Sequence, residues 1–215
     1  MARVKICGVT NVSDAQRAAD LGAWALGMVL WPGSPRRCAR DEAARISAAL
    51  RRRTELAGVF VDASLDTVAR AADELGLTLV QLHGYEGPSY CAEVARRTGC
   101  KVIKAVKVRT QADLRGLRSF HTDFHLLDSG SAVAPGGTGA TWDWALIDEL
   151  TGGVPVIASG GLNPDNVADA IRVLRPYAVD TASGTESEPG VKDPAKLEAF
   201  FEAVAAADDR IGAPA

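Results

Sequence analysis

Eight short apolar, β-branched segments alternate with segments of helical periodicity from residue 3 to residue 208. The strand-like runs cover residues 3–8, 24–30, 55–62, 78–84, 101–108, 123–128, 154–160 and 178–184. Between them, apolar residues recur at helical spacing. Examples are Leu65, Val68, Ala72 and Leu75, then Val167, Ala170, Ile171 and Leu174, then Leu197, Phe200, Phe201 and Val204. Ser13-Asp14, Asp41-Glu42, Asn163-Pro164-Asp165 and Asp193-Pro194 are placed to start helices, and Gly22, Gly76 and Gly99 to stop them. Strands separated by helices pair in parallel, with each crossover helix covering a sheet face. Eight such units with nothing left over predict an α/β chain folded as a single (β/α)8 barrel, one domain over residues 1–215. The competing architecture is an open doubly wound sheet. It lacks its glycine fingerprint, because Cys7-Gly8-Val9-Thr10 follows the first strand.

Composition narrows the function classes. The 24 basic and 27 acidic residues leave a formal charge of −3, and 6% of residues are aromatic. Neither favours nucleic-acid binding, although a few backbone amides suffice for a small anion. The cysteines, Cys7, Cys38, Cys91 and Cys100, form no Cys-x-x-Cys pair and have no His cluster beside them, so reduced thiols and no zinc site are expected. No signal peptide or membrane span is visible, which predicts a soluble, cytoplasmic protein that binds no membrane. Arg51-Arg52-Arg53 reads as a solvated helix end. Monomer and homodimer both remain open.

Alternation within the strands sorts the polar residues by face. Lys5 and Cys7 share one face of the first strand, and Gln81 and His83 one face of the fourth. Lys104 stands opposite Ile103 and Ala105, Asp128 opposite Leu127, and Asp180 opposite Val179. Charge buried against helices is costly, so Lys5, Lys104, Asp128 and Asp180 are expected inside the barrel, as an ion-pair network or as part of a site. Cys7, His83, Asp128 and Asp180 fall at C-terminal strand ends, where barrel active sites lie. His121 and His125 are expected to be ordinary surface or packing residues.

Glycine-rich loops follow the last two strands: Ser159-Gly160-Gly161-Leu162-Asn163-Pro164 and Ala182-Ser183-Gly184-Thr185. Their ordinal position is that of the recurrent phosphate site of these barrels, with Gly160, Gly161, Ser183 and Gly184 as the expected anion contacts. Gly136-Gly137-Thr138-Gly139 is a third such loop. At the mouth, Cys7 is either a nucleophile or base, helped toward thiolate by Lys5, or a small buried residue. Asp128 is a candidate acid.

These segments together resemble the phosphoribosylanthranilate isomerases of tryptophan biosynthesis over essentially the whole chain. The resemblance rests on residues 5–11 (KICGVTN), 34–36 (SPR), 58–61 (GVFV), 81–84 (QLHG), 126–129 (LLDS), 136–139 (GGTG), 159–164 (SGGLNP) and Val179-Asp180. It implies a (β/α)8 barrel that performs an Amadori rearrangement of a phosphoribosyl substrate. Cys7 then matches the general base, Asp128 the general acid, and Arg36 the holder of the anthranilate carboxylate. His83, Asp180 and the glycine-rich loops complete the substrate site, and no metal or cofactor is implied. Two positions depart from the family pattern: Ala182-Ser183 replaces two consecutive serines, and Gly33 stands where lysine is common. Two other readings compete. One is a barrel that also isomerises the related histidine-pathway aminoaldose, whose relatives carry aspartate in place of Cys7. The other is a phosphosugar-binding module without catalysis, against which the presence of both Cys7 and Asp128 argues.

Overall fold

A computed structural model of the chain describes residues 2–108, 110–128 and 153–211. Its elements run β1 (Arg3–Cys7), α1 (Val12–Asp20), β2 (Ala25–Val29), α2 (Arg40–Leu50), β3 (Glu55–Phe60), α3 (Leu65–Leu75), β4 (Leu79–Leu82) and α4 (Pro88–Thr98). They continue with β5 (Lys101–Lys107), α5 (Gln111–Gly116), β6 (Phe124–Asp128), β7 (Val156–Ser159), α6 (Val167–Leu174), β8 (Ala178–Thr181), a hairpin of β9 (Glu186–Glu188) and β10 (Val191–Lys192), and α7 (Pro194–Ile211). Strands β1 to β8 close a barrel in chain order. β1 pairs in parallel with both β2 and β8, the latter through Val4 with Val179 and Lys5 with Asp180. The eight strands anticipated from the sequence are all present, each trimmed by a few residues at its ends.

Two apolar layers follow from the alternation. Val4, Ile6, Leu26, Met28, Val80, Leu82 and Val179 face outward and pack with Val68, Ile171, Leu197 and Phe200 of the helices. Ala25, Ala57, Leu79, Ile103, Leu126 and Ile157 fill the interior. At the end where strands begin, the rings of Trp24, Phe124 and Tyr177 meet edge-on or tilted with centroids 5.0–5.5 Å apart. Arg3 lies over Tyr177. This aromatic floor packs under the interior layer, and the site must lie at the opposite end.

Several boundaries differ from the expected ones for local reasons. Asn11 rather than Ser13 caps α1, its Oδ1 accepting from the Asp14 N–H at 2.9 Å. Asn163 spends its side chain on the Asp165 N–H, forming a turn that delays α6 to Val167. Asp193 does cap α7 by accepting from the Lys196 N–H. Gly76 and Gly99 end α3 and α4 in the left-handed conformation.

One expectation fails. Lys104 is not inside the barrel; Ile103 and Ala105 are, and Lys104 points toward the helices. Its burial there is compensated by the Glu86 carboxylate at 2.8 Å and the Gly84 carbonyl at 2.7 Å. Burying a lysine against helices is costly only when its charge is unpaired, and here a loop glutamate pairs it. His125 is a packing residue as expected. It is fully buried on the outer face, with Nε2 hydrogen-bonded to the Phe120 carbonyl.

Candidate active site

At the mouth, β1 brings Lys5 and Cys7 onto the inner face. Lys5 is fully buried and donates to Asp180 Oδ1 at 2.8 Å, while Ser159 Oγ donates to Asp180 Oδ2 at 3.2 Å. Asp180 thus joins the ends of β1, β7 and β8 under the mouth. Cys7 lies directly above Lys5 and is 8% exposed. Burial pushes its thiol up from the ordinary range, against the pull of the Lys5 and Lys192 ammonium groups. Burial also works against the charge on Lys5, but Asp180 and Cys7 outweigh it and hold the ammonium above its usual value.

Asp128 ends β6 and His83 follows β4. His83 Nε2 stands 3.7 Å from Asp128 Oδ2, and both side chains are about a quarter exposed (29% and 23%). Gln81, on the same face of β4, places its Nε2 3.1 Å from His83 Nδ1. The Gln81 amide thus lies within hydrogen-bond distance of the His83 ring, whose other nitrogen is turned toward the Asp128 carboxylate. The backbone around His83 is fastened by Glu86, whose two oxygens accept from the Asp62 and Gly84 N–H groups at 2.9 and 2.8 Å. The Lys104 partnership on the outer face therefore serves the mouth: it holds the loop that carries His83.

Arg36 belongs to the loop after β2, and its side chain is 26% exposed. The stem lies over Gly8, where a Cβ would come 2.9 Å from Arg36 Cδ. Glu186 takes the guanidinium side-on, accepting from Nε at 2.9 Å and Nη2 at 2.8 Å. Lys192, fully buried, donates to Glu186 Oε1, the Cys7 carbonyl and the Ala182 carbonyl. Burial works against the carboxylate of Glu186, but Arg36 and Lys192 together hold it below its usual range. Neither Glu186 nor Lys192 stood out in the sequence. The only available signal was charge in the stretch after the eighth strand, 150 residues from Arg36. At Gly33 a Cβ would meet the Trp31 ring at 2.5 Å, so an indole occupies that space.

The loops after β7 and β8 come together as expected. Gly160 and Gly161 have φ of 102° and 71°, a conformation that turns successive amides to one side. Ser183 and Gly184 lie in a 3-10 turn over Ser183–Thr185. A Cβ on Gly184 would fall 1.9 Å from the Leu162 carbonyl oxygen, so only glycine lets the two loops touch. Thr181 Oγ1 ties them by donating to the same carbonyl at 2.7 Å. The Gly136–Gly139 motif lies outside the described residues.

The closed eight-stranded barrel agrees with three comparisons. Residues 4–203 match the family model for N-(5′-phosphoribosyl)anthranilate (PRA) isomerase. The N-(5′-phosphoribosyl)anthranilate isomerase of Geobacter sp. (strain M21) is 46% identical over 200 residues, 93% of this chain and 96% of that protein. The crystal structure of phosphoribosyl anthranilate isomerase from Thermotoga maritima superposes with a TM-score of 0.83 at 40% identity, covering 96% of this chain and all of that one. A second structure is of a phosphoribosyl anthranilate isomerase in complex with reduced 1-(o-carboxyphenylamino)-1-deoxyribulose 5-phosphate. It superposes with a TM-score of 0.82 at 39% identity, over 96% of this chain and all of that one. The chain belongs to the N-(5′-phosphoribosyl)anthranilate isomerase family.

Proposed function

We propose that the protein isomerises N-(5′-phosphoribosyl)anthranilate to 1-(2-carboxyphenylamino)-1-deoxyribulose 5-phosphate in tryptophan biosynthesis, as a soluble cytoplasmic enzyme. The observation that supports this reading is that Cys7 and Asp128 each end a barrel strand. Both face the mouth, from the ends of β1 and β6, which stand three places apart in the closed ring. In this reading the 5′-phosphate seats on the loops containing Gly160, Gly161, Ser183 and Gly184, and Arg36 takes the aryl carboxylate. Asp128 then protonates the furanose ring oxygen, the C1′–O bond breaks, and the anilino nitrogen's lone pair forms the iminium. The Cys7 thiolate removes the C2′ proton, and the C–H electron pair flows toward the iminium nitrogen to give the enolamine. Tautomerisation of this enol yields the ketone. Lys5 favours the thiolate from below, and Asp180 acts by fixing Lys5. His83, 3.7 Å from Asp128, lies at the same mouth and contributes to the substrate site.

Turnover measured with phosphoribosylanthranilate tests the proposal. Cys7→Ala and Asp128→Ala are each expected to lower kcat by roughly 10²–10⁴-fold, the usual worth of one positioned acid or base. A kcat within tenfold of the parent in either variant would sink the role given to that residue.

A further inference from the structure

The hairpin β9–β10 carries two charged residues into the wall of the site, and neither reaches solvent: the Glu186 and Lys192 side chains are 4% and 0% exposed. Lys192 Nζ donates to the Cys7 carbonyl at 2.7 Å, the Ala182 carbonyl at 3.0 Å and Glu186 Oε1 at 3.1 Å. Three acceptors use all three ammonium hydrogens, so the site is built for the charged form. Glu186 also accepts from the Gly190 N–H and binds Arg36 through Nε and Nη2. Arg36, Glu186 and Lys192 therefore form a row of charges, plus, minus, plus, whose sum is one positive charge. That surplus emerges at Arg36, the one member with substantial exposure.

A guanidinium has two forked edges. Glu186 occupies the side edge, Nε with Nη2, and among the described residues no partner takes the end edge, Nη1 with Nη2. We propose that Glu186 and Lys192 are the positioning and specificity-determining residues of the carboxylate subsite. Glu186 locks the side edge so that the end edge is presented to an aryl carboxylate, and Lys192 cancels the charge of Glu186 so that the subsite still attracts an anion. Without Lys192, Arg36 and Glu186 would neutralise one another. Without Glu186, the guanidinium would have to be ordered by the substrate itself at each binding event. The hairpin thus selects a carboxylated arylamine over one lacking the carboxyl group. This inference rests on the carboxylate-binding role of Arg36 in the reading above.

The test compares two inhibitors by calorimetry: the reduced product phosphate bearing the 2-carboxyphenylamino group, and its phenylamino counterpart without the carboxyl. The parent protein should prefer the carboxylated compound by roughly 10- to 100-fold, the worth of a charge-assisted pair. Glu186→Gln should shrink that preference about tenfold while changing the affinity for the phenylamino compound less than about twofold. It should raise KM for phosphoribosylanthranilate more than it lowers kcat. Lys192→Met should shrink the preference in the same direction. In an Arg36→Ala background, Glu186→Gln should remove nothing further, because it acts through the guanidinium. Equal losses for both inhibitors, or additive losses with Arg36→Ala, would assign Glu186 a purely structural role and overturn the inference while leaving the isomerase reading intact. A parent protein that neither turns over phosphoribosylanthranilate nor prefers the carboxylated inhibitor overturns both.

Discussion

A methyl group on Gly27 would come within 2.8 Å of Cys7 Sγ and 3.2 Å of its Cα. The thiol occupies space that β2 leaves open by having no side chain there, and the intruding contact involves backbone, so rotation of Cys7 alone gives no relief. Gly27→Ala should therefore cost about 1–3 kcal/mol by overpacking. Because the strain falls on the sulfur, it should also lower kcat by at least tenfold with an unchanged circular dichroism spectrum. A variant with full turnover would show that the thiol's placement is not set by this gap. Gln81 illustrates the same dependence on one neighbour. Its amide contacts the His83 ring, whose far nitrogen stands 3.7 Å from Asp128.

At the scale of elements, the outward ion pair of Lys104 and Glu86 joins β5 to the loop after β4. Lys104→Met leaves the Glu86 carboxylate buried with only backbone partners, and should destabilise the fold by about 3–5 kcal/mol, measurable by urea unfolding. Combining it with Glu86→Gln should recover part of that loss. A single variant as stable as the parent would mean the pair contributes nothing net. This pair also marks where the sequence stopped being readable. Strand and helix alternation is legible because periods of two and 3.6 are local properties, and Cys7, Asp128 and the two glycine loops are legible because they end numbered strands. The outward position of Lys104 is not legible because its partner sits in a loop with no period. Arg36 was found without the carboxylate that holds it, since Glu186 is 150 residues away and no local pattern links them. Helix starts moved where an asparagine side chain chose a turn, a competition between two local hydrogen bonds that the sequence alone does not decide.

For the whole molecule, buried titratable groups define a stability window. Burial holds His125 below its ordinary 6.5, so the unfolded chain binds that proton more readily, and stability is complete above pH 6.5 and falls as the pH drops. On the alkaline side, burial pushes Cys38 and Cys91 up to about 11 from an ordinary 9.0, and raises Cys7 and Cys100 as well. The folded state keeps those protons while the unfolded chain releases them, so stability is lost as the pH rises from 9.0 through about 11. Lys192, lowered by burial, runs the other way, but it is one group against four. Thermal unfolding with thiols kept reduced should show a Tm plateau between about pH 6.5 and 9 with a decline on both sides, about 2–4 °C per kcal/mol lost. A Tm that still climbs above pH 9 would contradict the thiol contribution.

The contact from Lys192 to the Cys7 carbonyl spans 185 residues. β1, the first of the eight barrel strands in chain order, also needs β8 as its second neighbour. On a ribosome, Cys7 is therefore made 185 residues ahead of the lysine that holds its carbonyl, and β1 waits for its second neighbour. At ~5–20 residues per second that wait is on the order of ten to forty seconds. Closure of the barrel around Cys7 therefore waits for β8 and the β9–β10 hairpin to be made.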